Sequence, residues 1–247
     1  MALGGTNRGT GSHNTSVNTW GLNSSGNFAT GSWAVLAVGI DNPSGGGAAQ
    51  STYTAFDSIG NTWTRRLSNL YDPGAANAGI EGAFFTTAQS VGAITTSTTI
   101  YLRVGNATTA KVWTLTEVTK DALASINFVK SGTNVGSANT TPTVTSSPIG
   151  VGNMIVGALF NEQGTVQIVT QDGDTTNGTW SSQQTTSVGI TAAGQCISTQ
   201  HKVVTAGATQ TYNPVLTTSS DVILGWMELE ECSLVDIIGP GVIPVER

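Results

Sequence analysis

The residues able to perform chemistry are few and widely spaced along this chain of 247 residues. His13 and His201 are the only histidines, and Cys196 and Cys232 are the only cysteines. A zinc site or a catalytic triad needs several such groups close together. Cys196 and His201 have an odd spacing, which on a strand points two side chains to opposite faces of the sheet. We therefore predict no catalytic Cys-His pair, and two free thiols are favoured over one disulfide.

The acidic residues group in two places. The segment DGDTTNG at 172–178 has the oxygen-rich composition of a calcium loop. Its Asn-Gly comes one position late and the closing glutamate of such a loop is missing, so ordinary turn geometry is favoured. Glu228, Glu230 and Glu231 lie at the end of the last predicted strand. There, a solvated strand end or a contact with arginines of a neighbouring copy is favoured over half of a glycosidase carboxylate pair. We expect no metal, no other cofactor and no enzymatic activity.

The overall composition favours an all-β protein. Only 10% of the residues are charged, against about 25% in a typical soluble domain. The 31 glycines accompany abundant Ser, Thr and Asn, a mixture that favours strands joined by tight turns. The net charge of -6 argues against binding to nucleic acid or to an anionic membrane. The sequence also predicts no transmembrane run and no signal peptide.

The chain repeats one pattern of predicted strands. GSWAVLAVG at 31–39 and GNMIVGALF at 152–160 are apolar on both faces of a strand, which predicts burial inside a sandwich. DSIGNTW at 57–63 and DTTNGTW at 174–180 place Asp at the same spacing before Trp. KVWTLTEV and VILGWMEL close the two copies. We interpret the pattern as an internal duplication with halves at about 13–120 and 139–231.

The predicted fold is a jelly-roll-like antiparallel β-sandwich built from two similar halves. Residues 1–28 are interpreted as a Gly/Asn-rich N-terminal arm with a first short strand. Residues 29–231 form the duplicated sandwich, and 232–247 form an extended apolar tail. One body, in which each half covers the apolar face of the other, is favoured over two domains linked by residues 120–137, because that segment contains the strand-like run INFV.

Two sets of residues are candidates for binding. Trp63 and Trp180 follow equivalent turns and are predicted to anchor the core or its rim. The alternative is an aromatic platform for sugar rings, with contributions from Tyr53, Tyr71 and Tyr212. The tail cannot form a helix because Gly and Pro interrupt it. Its aliphatic residues are expected to bind a neighbouring subunit: Leu234, Val235, Ile237, Ile238, Val242, Ile243 and Val245.

The order of these motifs resembles the duplicated β-sandwich modules of bacteriophage tail and virion proteins, which also occur in large bacterial surface proteins. The resemblance covers about residues 13–231. It is carried by the buried strands, by Asp-x-x-Gly-Asn-Thr-Trp-Thr starting at Asp57, by the aliphatic closing strands and by TTPTV at 140–144. It implies a jelly-roll-like sandwich that serves as a structural or recognition module, and it implies no reaction.

From this resemblance we expect a bacteriophage virion structural protein, either a capsid decoration protein or a component of the tail or its fibres. It would be made in the host cytoplasm and located in the virion. Its expected partners are other virion proteins and copies of itself in a homo-oligomer, and neither nucleic acid nor membrane. The alternative is a carbohydrate-binding module, either a receptor-binding tip or a surface lectin, which binds a host surface glycan.

Overall fold

The computed structural model describes residues 3–41, 49–50, 52–72, 79–162, 169–189 and 194–233. These residues form strands, turns and loops with no helix among them, which confirms the all-β prediction. In this part of the chain, accordingly, no helix could cross a membrane. The strands are β1 (Gly4–His13), β2 (Val17–Asn23), β3 (Trp33–Asp41), β4 (Tyr53–Asp57), β5 (Thr64–Tyr71), β6 (Ile80–Thr87), β7 (Thr99–Thr108), β8 (Lys111–Thr119), β9 (Ala124–Asn139), β10 (Val144–Thr145), β11 (Met154–Glu162), β12 (Val169–Thr170), β13 (Gln184–Val188), β14 (Gln195–Val203), β15 (Thr211–Tyr212), β16 (Val215–Leu216) and β17 (Ser220–Ser233).

The first half, residues 3–119, has the strand order of a jelly roll. Its large sheet has the order β1-β8-β3-β6-β5, and its small sheet has the order β2-β7-β4. All of these strand pairs are antiparallel. Successive strands alternate between the two sheets until β5, which pairs with β6 and so extends the large sheet. This alternation is the double Greek key of jelly-roll proteins.

The second half, residues 124–233, repeats the strand order of the large sheet and a reduced form of the small sheet. Its large sheet has the order β9-β17-β11-β14-β13, with β9 in the place of β1 and β17 in the place of β8. Its small sheet is reduced to two short ladders, β10-β15 and β12-β16, so that two short strands replace the single strand β7. The protein is therefore a β-sandwich built from two similar halves.

The two large sheets pack against each other face to face. Val35 of β3 and Val156 of β11 belong to one hydrophobic core between these sheets, which we call the inter-half core. On the opposite faces, Leu36 packs against the small sheet of the first half and Leu159 against the short strands of the second. We call these two clusters the outer core of the first half and the outer core of the second half. Each half thus covers its own apolar face as well as that of the other half. The molecule has four layers where a two-sheet sandwich was predicted, because β3 and β11 each have two apolar faces to bury.

Large side chains of one half fit over glycines of the other in the inter-half core. The ring of Phe160 lies over Gly82, where a Cβ atom would be 2.6 Å from Cδ2 of that ring. In the reverse direction, Gly225 faces Phe84, with a corresponding distance of 3.1 Å. The edge strand β1 packs beside β13, and β5 packs beside β9. The halves therefore associate through the same surface, as the subunits of a two-fold dimer do.

Both halves begin earlier than the sequence suggested. Residues 4–13, interpreted above as an arm, pair along their length with β8. Gly11 permits this pairing because the Trp113 ring lies against its backbone, and a Cβ there would be 2.5 Å from Cζ2. Residues 124–139, which include most of the possible linker at 120–137, form β9 and pair with β17. Gly11 is therefore needed because an aromatic ring packs directly on its backbone. Composition alone does not distinguish this use of glycine from its use in a flexible segment.

Candidate functional site

The first half buries a glutamate of its closing strand beneath the turn that leads into its central strand. Glu117 is 1% exposed, and its Oε1 accepts a hydrogen bond of 2.5 Å from the backbone N–H of Ala29. Its Oε2 accepts from Nε of Arg8 at 2.7 Å and also pairs with Nη2 of that arginine. Because β1 supplies the arginine, the ion pair joins the first and last strands of the half. The hydrogen bond from Ala29 joins the last strand to the turn that precedes β3.

Glu228 occupies the equivalent position in the second half. Its Oε1 accepts hydrogen bonds from the backbone N–H of Gly150 at 2.9 Å and from Nδ2 of Asn153 at 2.6 Å. Its Oε2 lies 3.3 Å from Nζ of Lys130, which β9 supplies. Glu228 is 2% exposed, so the predicted solvated strand end is wrong for this residue. Each glutamate is paired with a cation and accepts a backbone hydrogen bond, as a buried charge requires. Because these contacts link strands and turns of the same half, both glutamates have a structural role.

Trp63 and Trp180 are both buried. Trp63 is 9% exposed, lies in the outer core of the first half and donates from Nε1 to Oδ2 of Asp57 at 3.0 Å. Trp180 is 5% exposed, and its ring centroid lies 5.1 Å from that of Tyr212 and 4.9 Å from Nζ of Lys202. A sugar ring stacks on an exposed aromatic face, and neither indole offers one.

The tyrosines of the predicted platform are also packed inside the protein. Tyr53 and Tyr212 are 2% and 1% exposed, and their hydroxyls donate to backbone carbonyls of Val38 and Ser198. Tyr71 is half-buried and packs against the inter-half core. The aromatic residues singled out in the sequence are therefore anchors of three separate cores and do not form one surface.

The acidic segment 172–178 bonds to its own turns. Asp172 accepts from the backbone N–H of Asp174 at 2.8 Å and from that of Asn213 at 2.9 Å. Asp174 accepts from the backbone N–H of Thr176 at 2.9 Å and lies 3.5 Å from Nζ of Lys202. These N–H groups use carboxylate oxygens that a calcium ion would need. In the described residues, no group of three or more His, Cys, Asp or Glu could hold a metal ion.

Cys196 and His201 lie on opposite faces of β14. Cys196 belongs to the outer core of the second half, and burial raises the pKa of its thiol to about 11. His201 faces the other half, where it lies against Gly5 of β1 and its Nδ1 lies 3.3 Å from the Ser181 hydroxyl. Burial lowers the pKa of His201. The arrangement provides neither a thiolate nor a base beside it.

The structure reveals an exposed aromatic pair that the sequence analysis missed. Phe56 of β4 is 43% exposed and stacks on Tyr101 of β7, with ring centroids 5.1 Å apart and planes 19° apart. Arg103 lies two residues further along the same outer face and is exposed. The signal was the alternation in YTAFD, where inward Tyr53 and Ala55 place Phe56 outward. We call Phe56, Tyr101 and Arg103 the outer aromatic face.

The tail residues proposed as a subunit interface lie outside the described residues: Leu234, Val235, Ile237, Ile238, Val242, Ile243 and Val245. The described chain reaches Ser233, the last residue of β17, which pairs with Ala124 of β9. The last described residue of the chain therefore lies beside the edge strand of the second large sheet.

Comparison with known proteins gives no relative for this chain. No protein family, no curated protein and no solved structure matches it. Its function must therefore be argued from its own fold and surfaces.

Proposed function

We propose that this protein is a virion structural protein of a bacteriophage, acting through binding between subunits. The observation that carries the proposal is the doubled jelly-roll order, in which β1-β8-β3-β6 recurs as β9-β17-β11-β14. Jelly rolls recur in viral capsid proteins and in lectins. Both of these classes act by presenting a rigid surface to a partner, without chemical conversion of a substrate.

The use of polar groups inside the protein supports this proposal. Glu117 and Glu228 hold turns and strands together, Asp172 and Asp174 organise a loop, and the Cys196 thiol is buried in an outer core. Each large sheet is covered on both faces. In the part of the chain that the structure describes, the surfaces left for a partner are therefore the outer faces of the small sheets and the edges of the large ones.

The edge strand β9 is the best placed of these surfaces for binding another subunit. Among the described residues it pairs with β17 alone, and a strand edge without a partner can add a strand from a second chain. Val129 and Val135 of β9 are 39% and 41% exposed. The aliphatic tail follows β17 directly, so it starts next to this edge. We propose that β9 and the tail together form the subunit contact.

Mass spectrometry of purified virions tests this proposal. We expect the protein in intact particles at a fixed copy number relative to the major capsid protein. Light scattering of the purified protein should also give a defined homo-oligomer. Absence from washed particles, together with a monomer at all concentrations tested, would contradict a structural role in the virion.

The outer aromatic face favours a second candidate function, namely carbohydrate binding. Phe56 and Tyr101 present aromatic surface to solvent, and Arg103 adds hydrogen-bond donors beside it. A glycan array with the wild type, Phe56→Ala and Tyr101→Ala tests this function. Leu123→Ala is the matched control, because Leu123 is 77% exposed at another place in the protein. Binding that both aromatic variants abolish and the control retains supports a lectin, and the absence of wild-type binding refutes it.

A further inference from the structure

The central strands of the two halves end in carboxylates that face the same layer. Asp41 is the last residue of β3 and Glu162 is the last residue of β11. Alternation along β3 places Asp41 on the side of Val35, which belongs to the inter-half core. In the same way, Glu162 lies on the side of Phe160, another residue of that core. The two carboxylates thus occupy equivalent positions at one end of the inter-half interface.

Both carboxyl groups are buried and one of them joins the halves directly. Asp41 is 5% exposed and Glu162 is 7% exposed. The carboxylate of Glu162 accepts a hydrogen bond from the backbone N–H of Gly79, which precedes β6 in the other half. Oδ1 of Asp41 is inaccessible to solvent and accepts no hydrogen bond from the described part of the chain. This oxygen can therefore take up a proton without breaking an existing contact.

Burial is the main cause that favours protonation of both carboxyl groups. Burial raises the pKa of Asp41 to about 6, and the charge of Lys111 on β8 only partly opposes this. Burial raises the pKa of Glu162 to about 7. The Gly79 N–H lowers that pKa, whereas the charges of Asp41, of Asp221 on β17 and of Asp72 after β5 raise it further. Neighbouring carboxylates disfavour simultaneous ionisation.

We propose that Asp41 and Glu162 form a proton-dependent contact between the halves. With a proton on either carboxyl, the charge repulsion at this end of the inter-half interface is relieved, while the Glu162–Gly79 hydrogen bond continues to join the halves. With both carboxyls ionised, two buried negative charges lie at the same end of the interface, because Glu162 bonds to Gly79 and the next residue, Ile80, pairs with Asp41. Their repulsion weakens that end. This proton-dependent contact is independent of the proposed function, because it concerns the interface between two halves of one chain.

The direction of the pH dependence follows from the raised pKa values. A carboxyl group with a raised pKa binds its proton more tightly in the folded chain than in the unfolded chain. The stability that Asp41 and Glu162 contribute is therefore present in acid and is lost as the pH rises from about 4 through about 7. His201 acts in the opposite direction, because burial lowers its pKa. The test must therefore compare variants with the wild type at each pH.

Denaturation of carboxyl-to-amide variants provides the first test. Asp41→Asn, Glu162→Gln and the double variant keep the size of each side chain, and Gln still offers an oxygen to the Gly79 N–H. Between about pH 5 and pH 8, the denaturation midpoint of the double variant should rise steadily relative to that of the wild type. Asp174→Asn is the control, because Asp174 is paired with Lys202 outside this interface and has a lowered pKa. Its difference from wild type should stay constant over the same range.

Carboxyl-carbon NMR titration provides a test that does not depend on stability. Glu162 should titrate well above the ordinary glutamate range, and Asp41→Asn should lower its midpoint by removing the neighbouring charge. A Glu162 midpoint in the ordinary range, or one that Asp41→Asn does not move, would overturn the proposal. Parallel denaturation curves for the wild type and the double variant would also overturn it.

Discussion

The fit of Phe160 over Gly82 predicts that substitutions at these two positions do not add. A Cβ atom at Gly82 would lie 2.6 Å from Cδ2 of Phe160 and 2.8 Å from Cγ, whereas carbon atoms in contact normally lie about 3.5–4.0 Å apart. The ring cannot easily retreat, because Phe84 packs against it edge-on with centroids 6.1 Å apart. Gly82→Ala should therefore lower the free energy of unfolding by about 1–3 kcal/mol through overpacking.

The effect should disappear when the ring is removed. Phe160→Ala alone should lower the free energy of unfolding by about 3–5 kcal/mol, through lost burial and the cavity left between the halves. In that background, a methyl group at Gly82 enters the cavity, and Gly82→Ala should be neutral or stabilising. The two substitutions should thus show a coupling of about 1–3 kcal/mol.

Urea denaturation of the wild type, both single variants and the double variant measures this coupling. Gly173→Ala is the control, because a Cβ there meets nothing within 4 Å, and its effect should stay within about 0.5 kcal/mol. Equal destabilisation by Gly82→Ala in both backgrounds would refute the contact between the halves. It would show that the strain arises from neighbours within the first half.

Three further predictions concern the other residues singled out above. Trp63→Ala and Trp180→Ala should each lower the free energy of unfolding by about 3–5 kcal/mol in chemical denaturation, and a parent-like transition for either variant would show that its indole is not a core anchor. Deletion of residues 234–247 should leave a folded protein that no longer joins its oligomer or particle, as measured by size-exclusion chromatography and co-sedimentation; normal incorporation would exclude a tail-mediated contact. Because burial raises the pKa of the Cys196 thiol to about 11, alkylation of this cysteine near neutral pH should require unfolding, and rapid modification of the native protein would contradict its burial.

Local pattern was sufficient to predict the fold class and the central strands. WAVLAVGID and MIVGALFNE are buried along nearly their whole length, as apolar residues on both faces of a strand require. The repeated order of motifs also predicted two similar halves. These features could be predicted because the order of apolar and polar residues along a strand indicates which of its faces are buried.

The candidate sites were predicted less well, because a residue type does not reveal its partner. Trp63 and Trp180 could have been core anchors or a platform, and only burial distinguishes these. Glu228 had the appearance of a solvated strand end until the turn at Gly150 and the lysine of β9 were placed beside it. Phe56 was overlooked because its exposure depends on which face of β4 the small sheet buries.

The sequence by itself determined which strands are buried and that their pattern occurs twice. Only the tertiary structure decided that β1 is a strand, that the large sheets of the two halves pack face to face and that Asp41 and Glu162 share one buried layer. The physical reason is that strand pairing and sheet packing join residues far apart in the chain. In the sequence, a glycine of a flexible arm cannot be distinguished from a glycine beneath a tryptophan ring. A solvated carboxylate likewise cannot be distinguished from a buried one, because the difference lies in neighbours that only the tertiary structure brings close.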